Sequence, residues 1–244
     1  MRRTVSCSLT ADLLAPARLE LQVAVAAPAS LLREELSVTV DGVAQAVEEL
    51  TSDTGGRLHV LHAGPGLLEV GYRADVDGRT GPPPVQALDA VTYLRPSRYC
   101  ESDRLGGWAA REFGAVTAPT EVLSAVTSWV ATRLSYELSS SRGTDSAVDT
   151  LLAGEGVCRD FAHLAVALLR AREVPARLVA AYAPGLSPMD FHAVVEALVD
   201  GVWRVADPTG LAPRQSLLRI ATGRDAADTA FLAHYGGEVT LRTV

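Results

Sequence analysis

Cys158 stands where a thiol can be made reactive. It follows Gly156-Val157 and opens an amphipathic stretch, Cys158 to Glu173, in which Phe161, Leu164, Ala165, Leu168 and Leu169 share one face. Unpaired N–H groups and the positive end of a helix dipole stabilise a thiolate at such a position. The glycine lets the chain approach closely with no side chain in the way. On position alone an inert, buried cysteine is an equal reading, because free cysteines are commonly buried. A thiol nucleophile also needs a base, and the base needs an orienting group. The hairpin downstream offers both. If Asp200-Gly201 forms a two-residue type I′ turn, Val199 faces Val202 and Val194 sits opposite Asp207. His192 then lies one diagonal step from Asp207 on the same face, within side-chain reach. A carboxylate so placed fixes the imidazole tautomer and favours the imidazolium. A three-residue turn would send Asp207 to the other face. Taken alone, a half-buried strand histidine beside Asp207-Pro208 is the better reading, and no spacing argument brings Cys158 to His192.

The remaining candidates carry less. His59 and His62 are three apart in a strand, on opposite faces, and read as surface residues. Cys158 and His163 are five apart on a helix, about 140° around its axis, so they cannot share a metal. Asp160 in the first turn complements the helix dipole. Cys100 has no base near it in sequence and reads as structural, and His234 has no nameable partner. Every one of the 22 basic residues is Arg; Lys and Asn are both absent. That removes Schiff-base and P-loop lysines and any Asn that would orient a catalytic His. Three widely spaced cysteines without a C-x-x-C argue against a disulfide framework or a structural zinc.

The elements that must position these residues fall into two regions. Residues 1–77 read as β. Leu19, Leu21, Val23 and Val25 alternate with polar or small residues, Val38 and Val40 precede Asp41-Gly42, and Leu58–His62 and Leu68–Val76 follow, with Leu68, Val70, Tyr72 and Ala74 on one face. This predicts a small antiparallel sandwich. The run from Gly78 to Pro84 cannot continue a sheet, and places a linker at 78–87. From 88 to 244 the period changes. A helix is predicted from Pro119 to about Leu138, a short one from Asp145 to Leu152, and one from Cys158 to Glu173, stopped by Pro175. Strands are predicted over 176–182, 191–199, 202–206 and 217–221, then a short helix through Leu232 and a last strand over 238–241. Helices followed by antiparallel strands make an α+β arrangement.

Length and charge bound the function. At 244 residues and 48% hydrophobic composition the chain folds compactly. A net charge of −7 repels phosphates and anionic lipid, so neither nucleic acid nor membrane is the expected partner. Behind Met1-Arg2-Arg3, Ser6, Ser8 and Thr10 dilute the apolar stretch and Asp12 interrupts it, so no signal-peptide core forms. The expected location is cytoplasmic.

Four segments, Gly156-Val157-Cys158-Arg159-Asp160-Phe161-Ala162-His163, Val174-Pro175-Ala176-Arg177, Met189-Asp190-Phe191-His192-Ala193 and Val202-Trp203-Arg204-Val205-Ala206-Asp207, resemble the bacterial transglutaminase-like superfamily. Pro96 to Asp103 and Gly223 to Asp228 look like the same branch. The resemblance spans roughly residues 90 to 237 and departs at Ala193-Val194-Val195 and Ala206, where relatives often carry aromatics. It implies a papain-like core of helices packed on an antiparallel sheet, preceded by a β-rich domain. It also implies a Cys-His-Asp triad: Cys158 as nucleophile, His192 as general base and acid, Asp207 as orienter. The chemistry implied is thiolate attack on a peptide or side-chain carboxamide, through a thioester resolved by water or an amine, with no metal or organic cofactor. The backbone N–H of Cys158 is one oxyanion donor; the second is not identifiable from sequence. Hydrolysis of a peptide or protein substrate is preferred slightly over transamidation. The rival expectation is a binding module with an idle triad.

Overall fold

A computed structural model describes residues 1–79 and 81–244; Thr80, inside the expected 78–87 linker, lies outside the described residues. The chain divides into two units. One comprises Met1–Gly81, Leu218–Ala221 and Ala230–Val244, the other Pro82–Leu217 and Thr222–Thr229.

In the first unit, alternation buries one side of each long strand. Leu68, Val70, Tyr72, Ala74 and Val76 of the Gly66–Asp77 strand all point inward. Arg3–Leu13 is a strand that the sequence reading lacks. The hydroxyls of Ser6, Ser8 and Thr10, which dilute an apolar run, alternate with Val5, Cys7, Leu9 and Ala11, and that is a two-faced strand. One antiparallel sheet runs Val239–Thr243, Arg3–Leu13, Gly66–Asp77, Ser30–Val40, Val43–Ala44. The other runs Leu232–Tyr235, Ala17–Leu21, Arg57–Ala63, Glu48–Thr51. The last two strands of the chain thus pair with the β unit, whereas the expected boundary carried everything from 88 to 244 into the other domain. The physical reason is that the edges of Arg3–Leu13 and Ala17–Leu21 present unpaired backbone groups that a later strand can cover.

An ionic network ties the two sheets. Arg57 reaches Glu34 at 3.0 Å and Glu49 at 2.7 Å, and Tyr72 donates to Glu34 at 2.6 Å. His59, expected at the surface, is buried and bonds Glu49 at 3.0 Å. His62 is exposed.

The second unit packs helices on an antiparallel sheet. Ser102–Phe113 is a helix absent from the sequence reading, which Gly106-Gly107 disguises. Its buried Leu105, Ala109 and Phe113 nevertheless recur every four residues. The Pro119 helix ends at Arg133 rather than near Leu138, because Leu134 is extended and Ser135–Tyr136 pairs in parallel with Glu155–Gly156. Ala147–Ala153 opens on a Ser146/Asp149 capping box and closes on Gly154 at φ 74°. The Cys158–Ala171 helix is central, with every residue from Asp160 to Arg170 buried. Against it lie the strands Ala176–Tyr182, Phe191–Val199 and Val202–Ala206. Asp200 (φ 53°) and Gly201 (φ 73°) make the two-residue turn, and Val199 pairs with Val202 through to Val195 with Ala206.

Arg177 and Glu196 are register partners on this sheet and lie 2.7 Å apart, each at most 1% exposed. The guanidinium carbon sits 3.6 Å from the Trp203 ring centroid, so the charge is met by a carboxylate and an aromatic face together. Removing one partner strands the other charge in the interior. Glu196→Gln is therefore expected to cost about 3–5 kcal/mol in urea denaturation, and Arg177→Met with Glu196→Leu markedly less. A Glu196→Gln cost below about 1 kcal/mol would show that the ring alone carries Arg177.

Candidate functional site

The entry to the Cys158 helix is held by Asp160. Its Oδ2 accepts the Val157 N–H at 2.9 Å, and its Oδ1 accepts from Arg159 at 3.2 Å. Asp160 thus ties the turn as well as facing the dipole. Gly156 has no room for a side chain, since a Cβ there would stand 2.7 Å from the Asp160 Cβ. These contacts leave Cys158 partly buried at the helix start.

His192 is the second residue of its strand and 2% exposed. Asp207 follows the last residue of the next strand, and the register continues past Val195–Ala206 to set it one diagonal step from His192. His192 Nε2 and Asp207 Oδ2 are 2.9 Å apart. The other oxygen, Oδ1, accepts the Thr209 N–H at 3.0 Å and the Thr209 hydroxyl at 2.7 Å, so the carboxylate is aimed by its own turn. With Nε2 committed to Asp207, the buried Nδ1 is the nitrogen left for a thiol. Cys158 Sγ lies 3.9 Å from the carbonyl oxygen of Phe191, the residue before His192, and interacts with the imidazole.

The electrostatics follow from this geometry. Burial opposes a charge on His192, but the Asp207 bond and the Cys158 side chain outweigh it and raise the pKa from 6.5 to about 9. Burial likewise opposes ionisation of Asp207, yet its bonds to His192 and Thr209 hold the carboxyl below its ordinary range.

Cys158, His192 and Asp207 thus meet, while the other singled-out residues stand apart from them. Cys100 is fully buried and donates to the His163 carbonyl at 3.5 Å; burial pushes its thiol pKa up. His163 points away from the thiol. Its Nε2 accepts the Ala226 N–H at 3.1 Å, its ring stacks on Tyr99, and burial drives its pKa down to about 3. Asp225 accepts the Tyr99 N–H at 2.8 Å, so the segments around 99 and 225 meet beside this histidine. Arg159 fastens the loop beyond Tyr136, donating to Ser141 Oγ at 2.6 Å and the Arg142 carbonyl at 2.7 Å.

Tyr136 escapes the sequence reading. Its ring packs on Phe161 of the Cys158 helix with centroids 5.8 Å apart, and burial together with Cys158 pushes its pKa up to about 12. The only signal is Ser135-Tyr136 after an amphipathic helix, and the predicted helix ran straight through it. Among the described residues no three His, Cys, Asp or Glu side chains are grouped to hold a metal ion, and no helix is long and apolar enough to cross a membrane.

A profile of the transglutaminase-like superfamily matches residues 108–208, a span that holds Cys158, His192 and Asp207. The crystal structure of a candidate cysteine protease from Cytophaga hutchinsonii is 33% identical, with a TM-score of 0.88 over 100% of this chain and 88% of that one. An uncharacterised protein of Mycobacterium leprae is 25% identical over 148 residues, 56% of this chain and 52% of its own length. Another, from Mycobacterium tuberculosis, is 32% identical over 143 residues, 52% of this chain and 45% of its own. The chain thus matches about half the length of these curated relatives or less. With the profile lying over the thiol, imidazole and carboxylate, and a third of its residues shared with a structure that matches it from end to end, the chain belongs to the transglutaminase-like superfamily.

Proposed function

We propose that this protein is a cysteine-dependent amide hydrolase or acyltransferase acting on peptide or side-chain carboxamides. Cys158 is the nucleophile, His192 the general base and acid, and Asp207 the group that orients it. The observation that supports this reading is the buried 2.9 Å His192–Asp207 bond, which leaves the other imidazole nitrogen for the thiol. The thiol proton rests on His192 as an imidazolium, and the thiolate attacks the carboxamide carbon. The carbonyl electron pair moves onto oxygen, where the Cys158 N–H can donate. As the pair returns, the C–N bond breaks and the nitrogen leaves with the proton from His192. Water or an amine then attacks the thioester by the same steps and regenerates the thiol. The likeness to a candidate cysteine protease favours water as acceptor and a peptide or protein as substrate.

The first measurement is alkylation of each cysteine by iodoacetamide at neutral pH, read by peptide mass spectrometry. Cys158 is expected to react faster than Cys7 and than the fully buried Cys100, and to slow in His192→Ala. Equal rates at Cys158 and Cys7 would instead favour an idle binding module. Once an amide substrate is found, Cys158→Ala should abolish turnover, and Asp207→Asn should lower it by about 10²- to 10⁴-fold.

The imidazole supplies a second test. With a folded pKa of about 9 against the ordinary 6.5, His192 keeps its proton through neutral pH. The stability it contributes is complete below pH 6.5 and is lost as pH rises through about 9. Nitrogen-15 NMR should show His192 titrating near 9 in the native protein and lower in Asp207→Asn. Titration at the ordinary value in the native protein would mean that the thiol, imidazole and carboxylate do not act together.

A further inference from the structure

The resting groups leave the site with a negative balance. His192 and Asp207 cancel one another's charge, and the sulfur that has given up its proton adds a further negative charge. Another carboxylate stands beside them with no part in the mechanism. Asp190 closes the run Ser187 to Asp190, every residue of which is exposed. Its Oδ1 accepts the Phe191 N–H at 2.6 Å, which fixes the group at the start of the His192 strand. The carbonyl oxygen of that same Phe191 lies 3.9 Å from the Cys158 sulfur. One residue of chain thus separates the carboxylate from the atom beside the thiol, a distance of under about 10 Å. Among the described residues Asp190 forms no ion pair. Arg159, next to the thiol in sequence, is already bound to Ser141, the Arg142 carbonyl and Asp160. The charge of Asp190 is also felt at Tyr136, where that ring packs on the Cys158 helix.

We propose that Asp190 determines specificity: it receives a cationic group, guanidinium or ammonium, carried by the substrate residue at or next to the scissile carbonyl. This rests on the reading of Cys158 as the nucleophile, and it narrows the substrate to a basic peptide segment. With Oδ1 taken by the Phe191 N–H, Oδ2 is left for the incoming donor. The long stem of a basic side chain lets its charged end reach that oxygen while the carbonyl rests on the sulfur. An unpaired carboxylate at the mouth of a site also concentrates cations there before they bind. An acidic side chain in the same place would face the negative balance of the site and Asp190 together.

Peptidyl chloromethyl ketones, which alkylate a thiolate and release chloride, carry the test. Acetyl-Ala-Ala-Xaa and acetyl-Ala-Xaa-Ala compounds are compared, with Xaa as arginine, its neutral isostere citrulline, or glutamate, and labelling of each cysteine is read by mass spectrometry. In one of the two positions arginine should label Cys158 at least about threefold faster than citrulline, and high salt should shrink that advantage. Asp190→Asn keeps an acceptor for the Phe191 N–H and should bring the arginine-to-citrulline ratio to about one. Asp190→Glu should retain the preference, and Asp190→Arg should turn it toward glutamate. The ratio cancels any change in the thiol itself, so a merely structural role would not move it. Equal rates for arginine and citrulline in the native protein overturn the inference. So does a ratio that survives in Asp190→Asn, which would give the cation to another carboxylate such as Glu137. A native preference for glutamate overturns it as well and points to Arg142. All three results still label Cys158 and leave it as nucleophile. If no compound labels Cys158 ahead of Cys7, the reading of Cys158 fails and takes this inference with it.

Discussion

The bond between His192 and Asp207 exists because two left-handed residues, Asp200 and Gly201, join their strands. Side chains alternate along a strand with period two, so a slip of one residue exchanges the faces. A three-residue turn would leave His192 where it is and turn Asp207 to the other side. Instead Val199 pairs with Val202, and each step back along the hairpin follows, until a carboxylate arrives beside an imidazole. The Thr209 bonds then hold the carboxylate, and the carboxylate holds the ring.

The sulfur is positioned by packing. A helix buried from Asp160 to Arg170 cannot slide along its axis without disturbing both the sheet and the neighbouring helices. Its first turn is closed by Asp160 on the Val157 N–H, at a point where Gly156 makes room. Near its far end Arg170 donates to the Ala176 carbonyl, to the Arg95 carbonyl and Ser97 hydroxyl, and to the Arg224 carbonyl. One guanidinium thereby ties three separate segments to the helix that carries Cys158.

That use of Arg bears on the missing Lys. A buried ammonium is a compact, strongly hydrated charge, whereas a guanidinium spreads its charge over a planar fork that can bond several acceptors and stack on rings. Arg170 and Arg177 are both buried and use those properties, the first as a fan of hydrogen bonds and the second between Glu196 and Trp203. A Lys at either position could not reach the same set of partners.

Local patterns in the sequence determined much of this protein. Alternation along 68–76, the Asp200-Gly201 turn, the strands 176–182, 191–199 and 202–206, and the helix opening at Cys158 each depend on residues close together in the chain. The hairpin even foretold the His192–Asp207 pairing, because register propagates from a turn. Tertiary structure decided what depends on distant partners. The C-terminal strands found open edges more than 200 residues back in the chain, and the polar Glu34–Arg57–Glu49 network drew His59 inward. The meeting of Cys158 with His192 needed a helix start and a strand start packed side by side, which no spacing encodes. Tyr136 came to the start of the Cys158 helix through a two-residue parallel bridge too short to leave a period, and only packing on Phe161 gave that bridge a direction.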